Sequence, residues 1–129
     1  MPYLGFSAGA MIAPRTALLG GHLLAGRSVC PRSWSEGLAE LTVRPGLGLV
    51  EFAVDVHTGQ AGTLGRTVAL VDSGAAPVAV GIDEDTCLAV AVGAPDPADG
   101  VVTGPGAVWV VRHGPGTSTV LRTPPSRRG

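Results

Sequence analysis

Residues 5 to 10 read GFSAGA, which places Ser7 in the spacing Gly-x-Ser-x-Gly. That pattern marks a serine held on a sharp turn between a strand and a helix, with small residues two places either side so that the hydroxyl stands clear. A helix beginning at once after the serine points amide N–H groups at a developing oxyanion, and the N–H of Ala8 is the natural first donor. In a chain with 20 glycines, chance alone produces such a spacing roughly one time in six, so the serine needs company before it means chemistry. A nucleophilic serine requires a base and a group that orients the base. Of the three histidines, His22 lies in a glycine-rich stretch and His113 precedes Gly114-Pro115-Gly116. Only His57, closing the run GLVEFAVDVHTG, combines a strand-end position with nearby carboxylates. The acidic candidates are Asp83-Glu84-Asp85, a turn that is either a solvated corner or the partner of His57. No oxygen cage with calcium-loop spacing surrounds it.

These side chains need elements to carry them. Pro2 to Phe6 reads as a short strand, and AGAMIAPRTALL as a following helix weakened by Pro14. From Gly20 to Pro45 the pattern is irregular and reads as a long loop-rich excursion, with a weak helical patch at 34–41. Strand signals return in GLGLVEFAVDVH, in VAVGIDEDTCLAVAV around the acidic turn, and in GAVWVVRHG, while LGRTVALVDSG is a short helix or a strand. Strands alternating with one or two helices predict an α/β sheet with an antiparallel or mixed β extension. In such a sheet ligands gather at the carboxyl ends of strands, where Ser7 and His57 would both stand. The division expected is a single domain over 1–122, with the elbow at 5–10, the histidine strand at 46–58, the acidic turn at 81–86, and a frayed tail at 123–129.

Composition narrows the class. At 129 residues the chain is one domain burying roughly two-thirds of its unfolded surface. Its net charge is −1, with dispersed arginines and no lysine, so no basic stripe offers itself to nucleic acid or anionic lipid. No apolar run approaches the roughly 20 residues of a membrane span. Cys30 and Cys87 lack metal-binding spacing and read as free thiols of a cytoplasmic protein. No metal or cofactor is expected. Trp34 and Trp109 read as packing residues.

The three segments GFSAGA, GLGLVEFAVDVH and VAVGIDEDTCLAV, in this order over about residues 3 to 92, resemble signatures of the cyanophycinase and dipeptidase E (aspartyl dipeptidase) family of serine peptidases, relatives of the class I glutamine amidotransferases. The family patterns are G-x-S-A-G-A, a G-L-G-L stretch before D-Q-H-F, and G-I-D-E-x-T-A. The resemblance implies Ser7 as nucleophile, His57 as general base and then acid, and Glu84 as the residue orienting His57, with Ala8 in the oxyanion hole. It implies substrate-binding roles for Asp55, on one strand face with His57 and holding a cationic group, and for Arg66, the last of a basic set. The chain departs from the family at Val56, Thr58, Ala61 and Thr63, the last two standing where further arginines would meet an acidic polymer. A small acidic peptide or another amide therefore suits it better than cyanophycin.

The resemblance also implies a fold: the second half of a Rossmann- or flavodoxin-like doubly wound sheet with a β-rich extension. In the family several strands and helices precede the elbow, and one of their loops supplies the second oxyanion donor. Here six residues precede Ser7, so the expectation is a domain without its N-terminal half. Its elbow strand would offer an edge to a second copy or to a complementing half. The function expected is a serine hydrolase cleaving a peptide or amide bond through Ser7, His57 and Glu84, and the alternative is a degenerate homologue that only binds.

Overall fold

The computed structural model describes residues 2–126. In chain order the elements are α1 (Ala8–Met11), β1 (Thr16–Gly20), β2 (Leu23–Leu24), β3 (Arg27–Ser28), β4 (Thr42–Pro45), β5 (Ala53–Val56), α2 (Thr58–Ala61), α3 (Leu64–Asp72), β6 (Val78–Ile82), β7 (Cys87–Ala89), β8 (Val101–Thr103), β9 (Val108–Gly114) and β10 (Thr117–Thr123). Single 3₁₀ turns lie at Arg32–Trp34 and Pro97–Asp99. The result is a small mixed α/β domain with few helices.

Its centre is a four-stranded mixed sheet in the order β10-β9-β6-β5. β5 and β6 run parallel, with Ala53 opposite Ala79 and Val56 opposite Ile82. β9 is antiparallel to β6, and β10 closes the sheet as a hairpin on β9. The parallel pair needs a crossover, and α3 supplies it. LGRTVALVDSG chooses helix over strand because its apolar side chains recur at helical spacing, with Leu70 and Val71 fully buried beneath the turn. The helix stops where Gly74, at φ 81°, takes a left-handed conformation and returns its N–H to the carbonyl of Val71. α3 lies across β6, β9 and β10. Every residue of β5 is buried, as a parallel strand covered on both faces requires.

Several local expectations change. Pro2 to Phe6 has no strand partner, although the residues are apolar. The helix after Ser7 lasts one turn, because Pro14 cannot continue a helical ladder, and residues 16–20 instead pair with 42–45 as β1 and β4. Ala17 and Leu18 of β1 are thereby buried against the sheet. The excursion from Gly20 to Pro45 is short strands and turns, and the patch at 34–41 forms no α-helix. The acidic turn does sit between two β runs, β6 and β7, and GAVWVVRHG is a strand, β9. In the expected tail, Thr123 still belongs to β10 and the Ser126 N–H donates to the carbonyl of Val102 at 2.8 Å, while residues 127–129 lie outside the described residues. Among the described residues no helix is long and apolar enough to cross a membrane.

Candidate active site

Ser7 occupies φ 50°, ψ −125°, a conformation that L-residues avoid without compensation. The turn is held by hydrogen bonds from the Gly9 N–H to the Phe6 carbonyl, and from the Ala10 and Met11 N–H groups to the Ser7 carbonyl. Tyr3 pins it from outside, its hydroxyl donating to the Gly9 carbonyl at 2.7 Å. Gly5 is dictated by space: a Cβ there would lie 2.6 Å from the Gly9 carbonyl oxygen. Gly9 differs from expectation, since a Cβ there meets nothing nearer than 3.8 Å. The serine side chain makes no capping bond to its own helix, and the Ala8 N–H donates to no acceptor among the described residues, so both remain free for a substrate carbonyl.

His57 follows the last residue of β5, and Glu84 stands two residues beyond β6, so neighbouring parallel strands deliver both groups to one end of the sheet. His57 leaves the strand at φ 55°, ψ 34°, a left-handed residue that turns the chain into α2. Ser7 Oγ is 3.3 Å from His57 Nε2, and His57 Nδ1 is 3.1 Å from Glu84 Oε1. The three residues come from positions 50 and 27 apart in the chain and form one continuous relay. Its geometry fits a neutral imidazole that accepts the serine proton at Nε2 while the Glu84 carboxylate fixes the proton on Nδ1.

The flanking acids have different work. Asp83 accepts from Gly59 N–H at 2.8 Å, Ala107 N–H at 2.9 Å and the Trp109 indole at 2.9 Å, tying α2 and β9 to the turn that presents Glu84. Trp109 is in this sense a packing residue. Gln60 was not legible as a site residue; its side-chain oxygen accepts from the Glu84 N–H at 2.8 Å. Its position three residues after His57, within the short helix that His57 caps, was the available signal. Trp34, expected only to pack, packs on the imidazole, with ring centroids 5.1 Å apart and planes tilted by 38°. It arrives on the 3₁₀ turn of the irregular excursion, and no local pattern announced it.

The substrate-binding roles implied for Asp55 and Arg66 are corrected. Asp55 is 0% exposed and Arg66 2%. Arg66 Nε and Nη2 donate to the two Asp55 carboxylate oxygens, each at 2.8 Å, so the cationic group that Asp55 holds is the protein's own. The expectation assumed that Asp55 and His57 share a strand face, but β5 ends at Val56 and the left-handed backbone of His57 breaks the alternation. Asp55 turns toward α3, while Val54, Val56 and His57 line a cavity on the opposite side. The remaining Arg66 nitrogen, Nη1, donates to the carbonyls of Trp34 at 2.7 Å and Gly21 at 3.2 Å. The ion pair therefore anchors the turn that lays Trp34 on His57.

Cys30, His22 and His113 fall away as alternatives, whereas Cys87 is a free, exposed thiol that lines the same cavity as Ser7. Burial pushes the Cys30 thiol up, away from the reactive thiolate. His22 lies against the Leu38 carbonyl and His113 is exposed, both remote from Ser7 in the hydrogen-bond network. Among the described residues no cluster of three or more His, Cys, Asp or Glu side chains is placed to hold a metal ion. Ser7 and His57 open into a cavity of about 870 Å³ running between the 2–6 segment, one face of β5, and β7 with the residues after it. In comparisons with known proteins, the chain matches no family model and no curated protein.

Proposed function

We propose that the protein is a serine hydrolase that cleaves a peptide, amide or related acyl bond through Ser7, His57 and Glu84. The observation carrying this reading is the relay itself: a serine at positive φ, 3.3 Å from an imidazole that is in turn 3.1 Å from a carboxylate, at the mouth of a cavity. Ser7 Oγ attacks the carbonyl carbon as His57 Nε2 takes its proton, and the Ala8 N–H meets the oxygen as it gains charge. His57 then returns the proton to the leaving group, and a water molecule activated in the same way releases the acid and restores Ser7.

The fold reading that accompanies it is the second half of a doubly wound Rossmann- or flavodoxin-like sheet, of the cyanophycinase and dipeptidase E type, in a cytoplasmic setting. Support comes from the parallel β5 and β6, the crossover helix α3, and site residues gathered at the carboxyl ends of those strands. A second reading, a chain that acts only with a partner, draws on Leu4 and Phe6, which are 85% and 83% exposed on a segment without a strand partner.

Labelling with a fluorophosphonate probe separates the outcomes. Wild-type protein is expected to react stoichiometrically, and His57→Ala at a rate lower by roughly 10²- to 10⁴-fold. Ser7→Ala is expected not to react. Labelling that persists in Ser7→Ala would end the hydrolase reading, and a rate that climbs with protein concentration would favour the partner-dependent one.

A further inference from the structure

The cavity beside Ser7 has a composition that bears on what it binds. Val54 and Val56 of β5, Ile82 at the end of β6, and Leu88, Val90 and Val92 on and after β7 supply its walls. At about 870 Å³ it falls within the roughly 300–1,000 Å³ of small-molecule sites. Its charge is one-sided. Among the described residues lining it there is no arginine, and the chain has no lysine. Glu84 and Asp85 are among its lining residues, Glu84 with one carboxylate oxygen against His57, while the Asp83 carboxylate is already occupied by three donors. Arg66, the basic residue that the peptidase resemblance would have sent to meet an acidic substrate, is buried on the far side of β5 with Asp55. A carboxylate on the substrate would lose its water to an apolar wall, meet no cation there, and stand near two like charges.

We infer that this cavity is an acyl-binding site, and that Ser7 acts on esters or amides of neutral, apolar acids rather than on acidic peptides. The inference rests on the serine-hydrolase reading for its chemistry, and on the lining alone for its selectivity. In the reaction Ser7 Oγ bonds to the acyl carbon, its proton passes to His57 Nε2, and the bond from that carbon to the alcohol oxygen or amine nitrogen breaks as His57 hands the proton to the departing group. Water then splits the acyl-serine ester, giving the free acid and Ser7. The product acid ionises beside Glu84 and Asp85, which favours its departure.

Each methylene removed from water strengthens binding by about fourfold. An octanoyl chain has six more than acetyl. With half of them against the wall the preference is about 60-fold. The test measures hydrolysis of 4-nitrophenyl acetate, octanoate and hemisuccinate by the wild type and by Ala89→Arg, a substitution at an exposed position of β7 that lines the cavity. Calorimetry of octanamide and succinamate with Ser7→Ala adds a measurement that needs no catalysis. Octanoate is expected to exceed acetate in kcat/KM by about 60-fold and hemisuccinate to fall below acetate, with Ala89→Arg narrowing the octanoate-to-hemisuccinate ratio at least tenfold. Equal turnover of acetate and octanoate, a preference for hemisuccinate, or a ratio that Ala89→Arg leaves untouched overturns the inference. Octanamide binding to Ser7→Ala without any Ser7-dependent hydrolysis upholds the apolar site and removes the hydrolase. Absence of octanamide binding removes the acyl site whatever the labelling of Ser7 shows.

Discussion

Replacing Arg66 by methionine removes a buried cation whose side chain donates four hydrogen bonds, two to Asp55 and one each to the carbonyls of Trp34 and Gly21. Methionine preserves much of the packed stem but leaves the Asp55 carboxylate 0% exposed and without its counter-charge. Breaking one partner of such a pair costs about 3–5 kcal/mol, a large share of the roughly 5–15 kcal/mol that holds a domain of this size together. With a urea dependence of about 1–3 kcal/mol per molar, the unfolding midpoint should fall by about 2 M. The double variant Asp55→Leu/Arg66→Met buries no charge and should regain at least half of the loss. It should not regain the site: Trp34 has still lost the donor that holds its turn, so fluorophosphonate labelling of Ser7 is expected to stay about tenfold slower than in the wild type. Equilibrium urea unfolding followed by tryptophan fluorescence, alongside labelling rates, measures both quantities. An Arg66→Met protein within about 1 kcal/mol of wild type, with a KM raised selectively for acidic substrates, would refute the reasoning and return Asp55 and Arg66 to a substrate-binding role.

Three further outcomes follow from the same geometry. Gly5→Ala drives a Cβ to 2.6 Å from a backbone oxygen of the elbow and should abolish labelling, whereas Gly9→Ala, with 3.8 Å of clearance, should retain it within about threefold; equal behaviour of the two would show that the elbow is not held as described. Trp34→Leu is expected to slow labelling about tenfold with little change in stability, and Trp34→Phe to restore most of it, because a ring face against the imidazolium is worth about 0.5–2 kcal/mol; a labelling rate unchanged in Trp34→Leu would deny the contact a role. On the sheet's other flank, hydrogen bonds from Arg112, helped by the Ala98 N–H, hold the Asp96 carboxyl down to about 2. A folded value below the unfolded one means that the pair stabilises above pH about 4 and that this contribution disappears as pH falls toward 2. The side chains are 36% and 37% exposed, so screening reduces the effect to about 1 kcal/mol, which urea midpoints between pH 2 and 5 should show as a shallower pH dependence in Arg112→Met.

What was legible in the chain followed from short-range physics. Val-rich runs bounded by glycine and acidic turns became β5, β6 and β9, since branched side chains fit a buried pleat wherever the chain passes. The acidic turn between β6 and β7, and the strand-end position of His57, were equally local properties. The apolar segment Pro2 to Phe6 was misread for a complementary reason. Strand propensity says that a segment can pair, and only a neighbour decides whether it does. Residues 16–20 show the reverse, since a helix-compatible composition was overridden by Pro14 on one side and by pairing with 42–45 on the other.

The site divides along the same line. Ser7 and His57 could be picked out because an elbow and a strand end each have a one-dimensional signature, while the acidic turn offered three carboxylates of which only the family resemblance singled out Glu84, and the sheet places all three features at one end. Asp55 and Arg66 could not be assigned this way, because the decisive event is a single residue adopting positive φ. An ideal strand would carry residues 55 and 57 on one face. Once His57 turns left-handed, its ring joins the serine while Asp55 stays behind against α3, and the two acquire separate partners. Arg66 reaches Asp55 from α3 on that other side of the strand, so the pair adds no cation to the cavity lining. His57→Gly, which keeps the angle but loses the ring, should leave the urea midpoint near wild type while slowing labelling by roughly 10²- to 10⁴-fold, whereas a β-branched residue at this position should cost stability as well.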